Sequence, residues 1–213
     1  MYLPIPYKIK YDVDKFPFQK IVKRIFGVDN LYNLHKLEKY DTLSREKDQS
    51  TKWHKLYYDN FSDNFETTYI ELVKELKKQL EYTELIYQKV PTFRVQLANG
   101  NVGVGEWHKD KNYNHGCTEV NFWLPLVDTI DVNSVWMETK EDLGDYKPFK
   151  VDYGEILVFN GANLLHGNKN NTSDMTRTSI DFRLVDPLKF IPNKSGSINT
   201  NTSFEVGGYF SKI

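Results

Sequence analysis

The chain has 213 residues, of which 39% are hydrophobic, 27% charged and 15% aromatic, and this composition excludes an intrinsically disordered protein. Because 28 Lys and Arg residues balance 29 Asp and Glu residues, the formal charge of −1 argues against a nucleic-acid or anionic-membrane partner. The single cysteine cannot form an internal disulfide. No apolar run is long enough to span a membrane or to serve as a signal peptide, so we expect a cytoplasmic protein.

The first ninety residues are predicted to be mostly helical. Apolar side chains with the spacing of a one-sided helix are Phe18, Ile21, Val22, Ile25 and Phe26. Gly27 follows this stripe at the place of a C-terminal cap. A second helix is predicted over residues 63–81, with Asp63 and Glu66 as a capping pair. Residues 31–58 have weak periodicity and are interpreted as mixed helix and loop.

From residue 91 the pattern changes to short strands separated by Gly, Asn and Asp turns. The predicted strands are 93–98, 102–107, 119–126, 134–138, 155–159 and 176–184. We therefore predict one α+β, mainly β, domain: helical residues 1–90, an antiparallel sheet or barrel over 91–186, and a polar tail over 187–213.

Two of the five histidines have neighbours that suggest a metal site. His108 and Asp110 are two residues apart after a predicted strand, so their side chains can converge on one ion. His166 follows the strand 155–159 across a tight turn. Two imidazoles and one carboxylate form the facial triad of mononuclear non-haem iron sites. A His-x-Asp pair alone also occurs by chance, in which case these histidines would be ordinary polar residues.

The predicted strands have one apolar face and one polar face. The polar side chains are Arg94 and Gln96 on the first strand, Asn121 with Trp123 on the third, and Arg177, Ser179, Asp181 and Arg183 on the last. One interpretation is a sheet whose polar face lies in water. The other is a pocket lining, in which an Arg beside a hydroxyl would bind a carboxylate.

The order of these residues resembles one enzyme family. His108-x-Asp110 is followed by His166 after fifty-six residues and by Arg177-x-Ser179 eleven residues later. This pattern resembles the iron(II)/2-oxoglutarate-dependent oxygenases, and most of all their streptomycin-biosynthesis-type and phytanoyl-CoA-hydroxylase-like branch. The resemblance covers roughly residues 91–184. It implies a double-stranded β-helix, the cupin-like jelly roll, with the N-terminal helices buttressing its larger sheet.

The resemblance also implies the ligands and their binding residues. His108, Asp110 and His166 would hold Fe(II), and Arg177 with Ser179 would bind the far carboxylate of 2-oxoglutarate. Arg183, on the same strand face, is the alternative anchor for this carboxylate. The two arginines are too far apart to bind it together, so if Arg177 binds it, Arg183 is expected to be a structural or rim residue paired with Asp181. The implied reaction consumes O2 and 2-oxoglutarate, releases succinate and CO2, and hydroxylates or otherwise oxidises a small polar substrate.

Further residues are expected around the pocket. Asn121 would bond the co-substrate or the substrate, or else be satisfied by the backbone. Arg94 and Gln96 are candidates for substrate contact. His115 would line the mouth of the pocket or lie exposed in its loop, and Trp107 is expected in the core.

Two other functions remain open from the sequence. A cupin-type isomerase or epimerase would use the same scaffold without iron or 2-oxoglutarate. A non-catalytic binding protein would have lost the triad, although all three of its residues are present. The sequence does not define the substrate or the oligomeric state.

Overall fold

The computed structural model describes residues 6–37, 49–98, 106–197 and 202–213. The helices are α1 (Phe18–Phe26), α2 (Leu34–Leu37), α3 (Lys52–Asp59) and α4 (Glu66–Gln79). The strands are β1 (Tyr7–Lys10), β2 (Ile86–Gln88), β3 (Thr92–Gln96), β4 (Val120–Pro125), β5 (Val135–Met137), β6 (Lys147–Phe149), β7 (Glu155–Phe159), β8 (His166–Gly167), β9 (Arg177–Val185), β10 (Asn193–Gly196), β11 (Ser203–Phe204) and β12 (Phe210–Lys212).

Antiparallel pairing builds a large sheet around β9. Within the described part of the chain its strand order is β1-β7-β4-β9-β2-β12, and β3 also pairs with β9. A smaller sheet has the order β6-β5-β8, and β10 pairs with β11. The mainly antiparallel sheet with helices agrees with the predicted α+β class. The single-domain organisation stays a prediction.

The helices cover the apolar face of the large sheet. Alternation along the strands sends one side chain in two to this face, where it meets the apolar stripes of α1, α3 and α4. The sheet residues predicted for this face are all at most 6% exposed: Phe93, Val95, Val120, Phe122, Ile180 and Phe182. They share one buried cluster with helix residues such as Phe18, Tyr57 and Leu76, which confirms the predicted helical buttress.

The opposite face of the large sheet is covered as well. Trp123 and Leu157 of the large sheet pack there against Val135 and Met137 of β5. The polar residues Gln96, Asn121, Arg177 and Ser179 are each at most 3% exposed. The interpretation of a polar face lying in water is therefore wrong, because the small sheet and its loops cover that face.

The helix predictions were partly correct. α1 lies where the apolar stripe placed it, and Gly27 ends it with a left-handed φ of 64°. The capping pair of Asp63 and Glu66 is wrong, because a π-helical turn over Phe61–Phe65 precedes α4. Asp63 has a ψ of −134° there, outside the helical region, and its side chain does not cap the helix.

The strand predictions fit at most positions. The predicted strand 155–159 matches β7, and 93–98, 119–126, 134–138 and 176–184 match β3, β4, β5 and β9 within two residues at each end. Of the predicted strand 102–107, residues 102–105 lie outside the described part, and 106–107 are not in a strand. None of the helices in the described residues has the length and apolar character needed to cross a bilayer.

Candidate metal centre

An antiparallel bridge brings the two predicted histidine ligands together. The N–H of His108 donates to the carbonyl of His166 at 2.9 Å, and the N–H of His166 donates to the carbonyl of His108 at 3.0 Å. His166 reaches this position because the chain turns sharply after β7 and returns as β8. The ring centroids of the two histidines are 4.5 Å apart.

Asp110 completes the cluster at the start of a 3-10 turn. Its Oδ1 lies 3.2 Å from Nε2 of His108 and 3.6 Å from Nε2 of His166. Two ligand atoms at right angles around one ion, each about 2.1 Å from it, would lie about 3 Å apart. One ligand atom from each of the three residues lies within 4.8 Å of the others, so the donor set fits a divalent metal ion.

Hydrogen bonds orient both imidazoles toward this position. Nδ1 of His108 lies 2.6 Å from the carbonyl of Glu106, and Nδ1 of His166 lies 2.9 Å from the carbonyl of Leu164. Since a carbonyl can only accept, each Nδ1 carries a proton, and Nε2 is the ring nitrogen that faces the candidate metal position. Backbone acceptors of this kind are typical partners of metal-binding histidines.

The charge states of the cluster also favour a cation. Burial by itself would raise the pKa of Asp110, but the Arg183 guanidinium outweighs it and holds that pKa well below its usual range. Burial lowers the pKa of His166 to about 4, although the Asp110 carboxylate opposes this shift. Asp110 is therefore ionised and His166 neutral at pH 7, which are the forms that bind metals.

Arg183 lies at the metal cluster, so of its two predicted places the rim is wrong, and a buried structural position agrees with its contacts. It is 6% exposed, and its Nη2 donates to Oδ2 of Asp110 at 2.7 Å. Carboxylate oxygens of Asp181 and Glu119 both lie 3.6 Å from its guanidinium nitrogens. The predicted pairing with Asp181 is therefore the longer contact, and the ion pair with Asp110 is the closer one.

Arg177 and Ser179 form a second polar group on β9. Arg177 is 1% exposed, and its Nη1 donates to Oγ of Ser179 at 2.9 Å. Its Nη2 donates to Oδ1 of Asn168 at 2.8 Å and to Oε1 of Gln96 at 3.3 Å. The indole N–H of Trp123 also donates to Oγ of Ser179, at 3.1 Å. The predicted pair of guanidinium and hydroxyl is thus assembled, as the sequence pattern indicated.

Two predicted pocket residues have partners that the sequence did not indicate. The side-chain amide of Asn121 donates to Oδ2 of Asp110 at 2.8 Å, and its Oδ1 accepts from the N–H of Gly161 at 3.2 Å. Arg94 has a side chain that is 25% exposed and lies 3.1 Å from Asp181. Asn121 therefore hydrogen-bonds directly to Asp110, a candidate metal ligand. The backbone is the partner of its side-chain oxygen but not of its side-chain nitrogen.

His115 and Trp107 differ from the expectations for them. The side chain of His115 is only 10% exposed, and its Nδ1 lies 2.7 Å from Oε2 of Glu119, so an exposed loop histidine is wrong. Its ring also packs against Phe204 of the C-terminal segment. Trp107 is half-buried and packs edge-on against the exposed Tyr146, so it does not belong to the core.

Sequence reasoning missed several residues around Asp110. Glu119 was not singled out, although it is buried and close to Arg183. Gly161 lies in the tight turn predicted between residues 159 and 166 and was given no role, yet its carbonyl accepts the N–H of Asp110 at 2.9 Å. Strand alternation had placed Arg183 on the polar face, but no sequence signal connected it to Asp110.

Solved structures of other proteins share the fold of this chain. A solved nickel complex of the non-haem monooxygenase ThoJ matches with a TM-score of 0.51 and 14% identity, over 90% of this chain and 78% of that one. Iron-bound EctD from S. alaskensis matches with a TM-score of 0.53 and 10% identity, over 87% of this chain and 74% of that one. At these identities the matches show a shared fold.

One curated relative shows the family. The chain is 36% identical to the streptomycin biosynthesis protein StrG of Streptomyces griseus over 206 residues, which is 97% of this chain and 98% of the relative. The chain therefore belongs to the StrG family. No family model matches it.

Proposed function

We propose that this protein is an Fe(II)- and 2-oxoglutarate-dependent oxygenase that hydroxylates or otherwise oxidises a small polar substrate and releases succinate and CO2. The observation that carries this proposal is the convergence of His108, Asp110 and His166, with Nε2 of each histidine oriented toward Oδ1 of the carboxylate. The shared fold with ThoJ and iron-bound EctD supports it. We also propose that the two sheets form a double-stranded β-helix of the phytanoyl-CoA-hydroxylase-like branch.

Each group of residues has a distinct part in the proposed reaction. His108, Asp110 and His166 would hold Fe(II). The metal and 2-oxoglutarate would together activate O2 for the oxidation of the substrate. Arg177 and Ser179 would bind the distal carboxylate of 2-oxoglutarate, since a buried guanidinium beside a hydroxyl suits a carboxylate. The small sheet covers these residues and would exclude water from the reaction.

The polar face of the large sheet supports a small polar substrate. Arg94 and Asp181 form a partly exposed ion pair on that face, and His115 with Glu119 forms another polar pair close to Arg183. Charged groups that are already paired favour a substrate with hydrogen-bonding groups over a fatty acyl chain. Arg94, Gln96 and His115 are the proposed substrate contacts.

Anaerobic absorbance spectroscopy tests the proposed function. Fe(II) added with 2-oxoglutarate should produce a weak visible charge-transfer band in the wild type, because the co-substrate chelates the metal. His166→Ala should abolish the band, whereas His35→Ala should retain it, since His35 bonds Thr176 on the helix side of the fold. Absence of the band in the folded wild type would favour a cupin-type isomerase that needs neither ligand.

A further inference from the structure

The two oxygens of the Asp110 carboxylate have different surroundings. Oδ1 faces Nε2 of both histidines. Oδ2 accepts hydrogen bonds from Nδ2 of Asn121 at 2.8 Å, from Nη2 of Arg183 at 2.7 Å and from Nε of Arg183 at 3.3 Å. We infer that Arg183 and Asn121 hold Asp110 as a one-oxygen metal ligand, and that they do so only because residue 161 has no side chain.

Lone-pair geometry supports the one-oxygen ligand. A carboxylate oxygen offers about two lone-pair directions, and three N–H groups already converge on Oδ2. A metal ion at Oδ1 therefore cannot draw Oδ2 into its coordination without breaking charge-assisted hydrogen bonds. One carboxylate oxygen and two imidazoles then leave three positions of an octahedron for other ligands.

Gly161 closes a ring of hydrogen bonds around this carboxylate. The N–H of Asp110 donates to the carbonyl of Gly161, the N–H of Gly161 donates to Oδ1 of Asn121, and Nδ2 of Asn121 returns to Oδ2 of Asp110. This ring connects the segment that carries His108 and Asp110 to the turn that leads to His166. It thereby sets the separation between the ligand-bearing segments before any metal arrives.

The ring leaves no room for a larger residue at position 161. A Cβ atom on Gly161 would lie 2.6 Å from Nδ2 of Asn121 and 2.7 Å from its Cγ. Asn121 is buried on β4 and cannot move aside freely. A methyl group at residue 161 therefore pushes the amide away from Asp110 and leaves the charges of Arg183 and Asp110 unchanged.

Two other elements hold Arg183 in place. Its Nη1 donates to Oε1 of Gln88 on β2 at 3.2 Å and to the hydroxyl of Tyr209 at 3.3 Å. Tyr209 belongs to the C-terminal segment that leads into β12, which itself pairs with β2. Arg183 is a positioning residue for the metal ligand, and its own position depends on the last strand of the chain.

Binding of Co(II) alone, without 2-oxoglutarate or substrate, tests this inference, which rests on the metal centre of the proposed function. The measurements are the dissociation constant from calorimetry and the d–d absorption, which reports the coordination number. Gly161→Ala and Arg183→Lys should each weaken Co(II) binding about 10- to 100-fold and change the d–d band, as loss of partners behind a metal ligand does. Gly116→Ala is the matched control, since a Cβ there meets its nearest atom at 3.4 Å.

The outcomes separate this inference from the proposed function. If folded wild type does not bind Co(II), both the metal centre and the inference fail. If wild type binds Co(II), and both variants keep its affinity within about threefold and its d–d band, only the inference fails. Circular dichroism checks that each variant is folded. Should Gly161→Ala fail to fold, Asn121→Ala removes the same hydrogen bond from Oδ2 and carries the same expectation.

Discussion

Arg177 and Arg183 lie on the same face of β9, and their surroundings differ. Arg183 lies within 3.6 Å of the carboxylates of Asp110, Glu119 and Asp181, so a further anion would be repelled there. Arg177 lies farther along the strand, with Ser179 bonded to its guanidinium. The neighbouring charges therefore distinguish the two arginines, and Arg177 is the one proposed to bind the co-substrate.

Arg177→Leu should weaken binding of 2-oxoglutarate severely and leave metal binding intact. Removing one partner of a buried charge pair costs about 3–5 kcal/mol, or about 10²–10⁴ in affinity. Titration of 2-oxoglutarate into the anaerobic Fe(II) protein measures this loss. Arg94→Leu is the matched control, because Arg94 pairs with Asp181 at 3.1 Å. Unchanged co-substrate affinity in Arg177→Leu would contradict the assignment.

His54 makes the stability of the protein depend on pH. Burial and, to a lesser extent, the charge of Arg94 together lower the pKa of His54 to about 3. The unfolded chain takes up this proton below about pH 6.5. Because the folded pKa is below the unfolded one, stability is full above pH 6.5 and is lost as the pH falls toward 3.

Replacing His54 with Gln should remove this pH dependence. Between pH 7.5 and 5, the wild type should lose about 2 kcal/mol of unfolding free energy more than His54→Gln does. Urea unfolding at both pH values measures the difference. His35→Gln should show a smaller effect, since burial also lowers the pKa of His35 but this side chain is less buried. Parallel pH profiles for wild type and His54→Gln would contradict the expectation.

At the scale of elements, α1 ends where its sequence dictates. Gly27 adopts a left-handed φ of 64°, its N–H donates to the carbonyl of Arg24, and the N–H of Val28 donates to that of Lys23. This pair of bonds satisfies carbonyls that the end of a helix leaves without partners. A side chain at residue 27 meets nothing within 4 Å, so only the backbone conformation opposes a substitution.

Gly27→Ala should therefore lower the free energy of unfolding by about 1 kcal/mol, because alanine pays for the left-handed conformation that glycine adopts freely. Gly27→Asn should lose less, since asparagine tolerates this region better than alanine. Urea denaturation curves of the two variants provide the comparison. Equal stability of Gly27→Ala and wild type would show that the helix end rearranges.

The sequence predicted those elements whose signal is local. α1 has a clear helical period, β7 is a continuous apolar run, and a turn follows each of them, so their positions follow from the sequence. The strands β2 and β12 have only three residues each and depend on pairing, β2 with β9 and β12 with β2. Three residues are too few to show a period, and β12 lies more than a hundred residues after β2 in the chain.

In the candidate site, too, only the features with a local sequence signal were predicted. The spacing of His108, Asp110 and His166 indicated the cluster, and strand alternation placed Arg183 on the polar face. Distance along a strand does not reveal which loop approaches it, so the ion pair of Arg183 with Asp110 was missed. Gly161 was missed because its role depends on a neighbour forty residues away in the chain.

At the scale of the whole molecule, one face of β9 contributes to the hydrophobic core and the other face contributes to the candidate metal centre. One face of the strand carries Phe182, which is fully buried and stacks on Phe122 with ring centroids 5.4 Å apart. The next residue, Arg183, lies on the other face and contacts Asp110. Successive residues of one strand thus belong to a helix-covered core and to a polar cluster.

Substitutions at these two neighbouring positions should therefore affect different properties, namely the free energy of unfolding at residue 182 and metal affinity at residue 183. Phe182→Ala should cost about 3–5 kcal/mol of unfolding free energy, because it leaves a cavity beside Phe122. Its folded form should still bind Co(II) within about threefold of wild type, since contacts on the opposite face are unchanged. Arg183→Lys should instead weaken Co(II) binding. Urea unfolding and calorimetry on both variants provide the test, with Phe182→Leu used where the alanine variant is too unstable. If the Phe182 variant loses metal affinity as strongly as Arg183→Lys, the two faces of β9 are coupled and the separation is wrong.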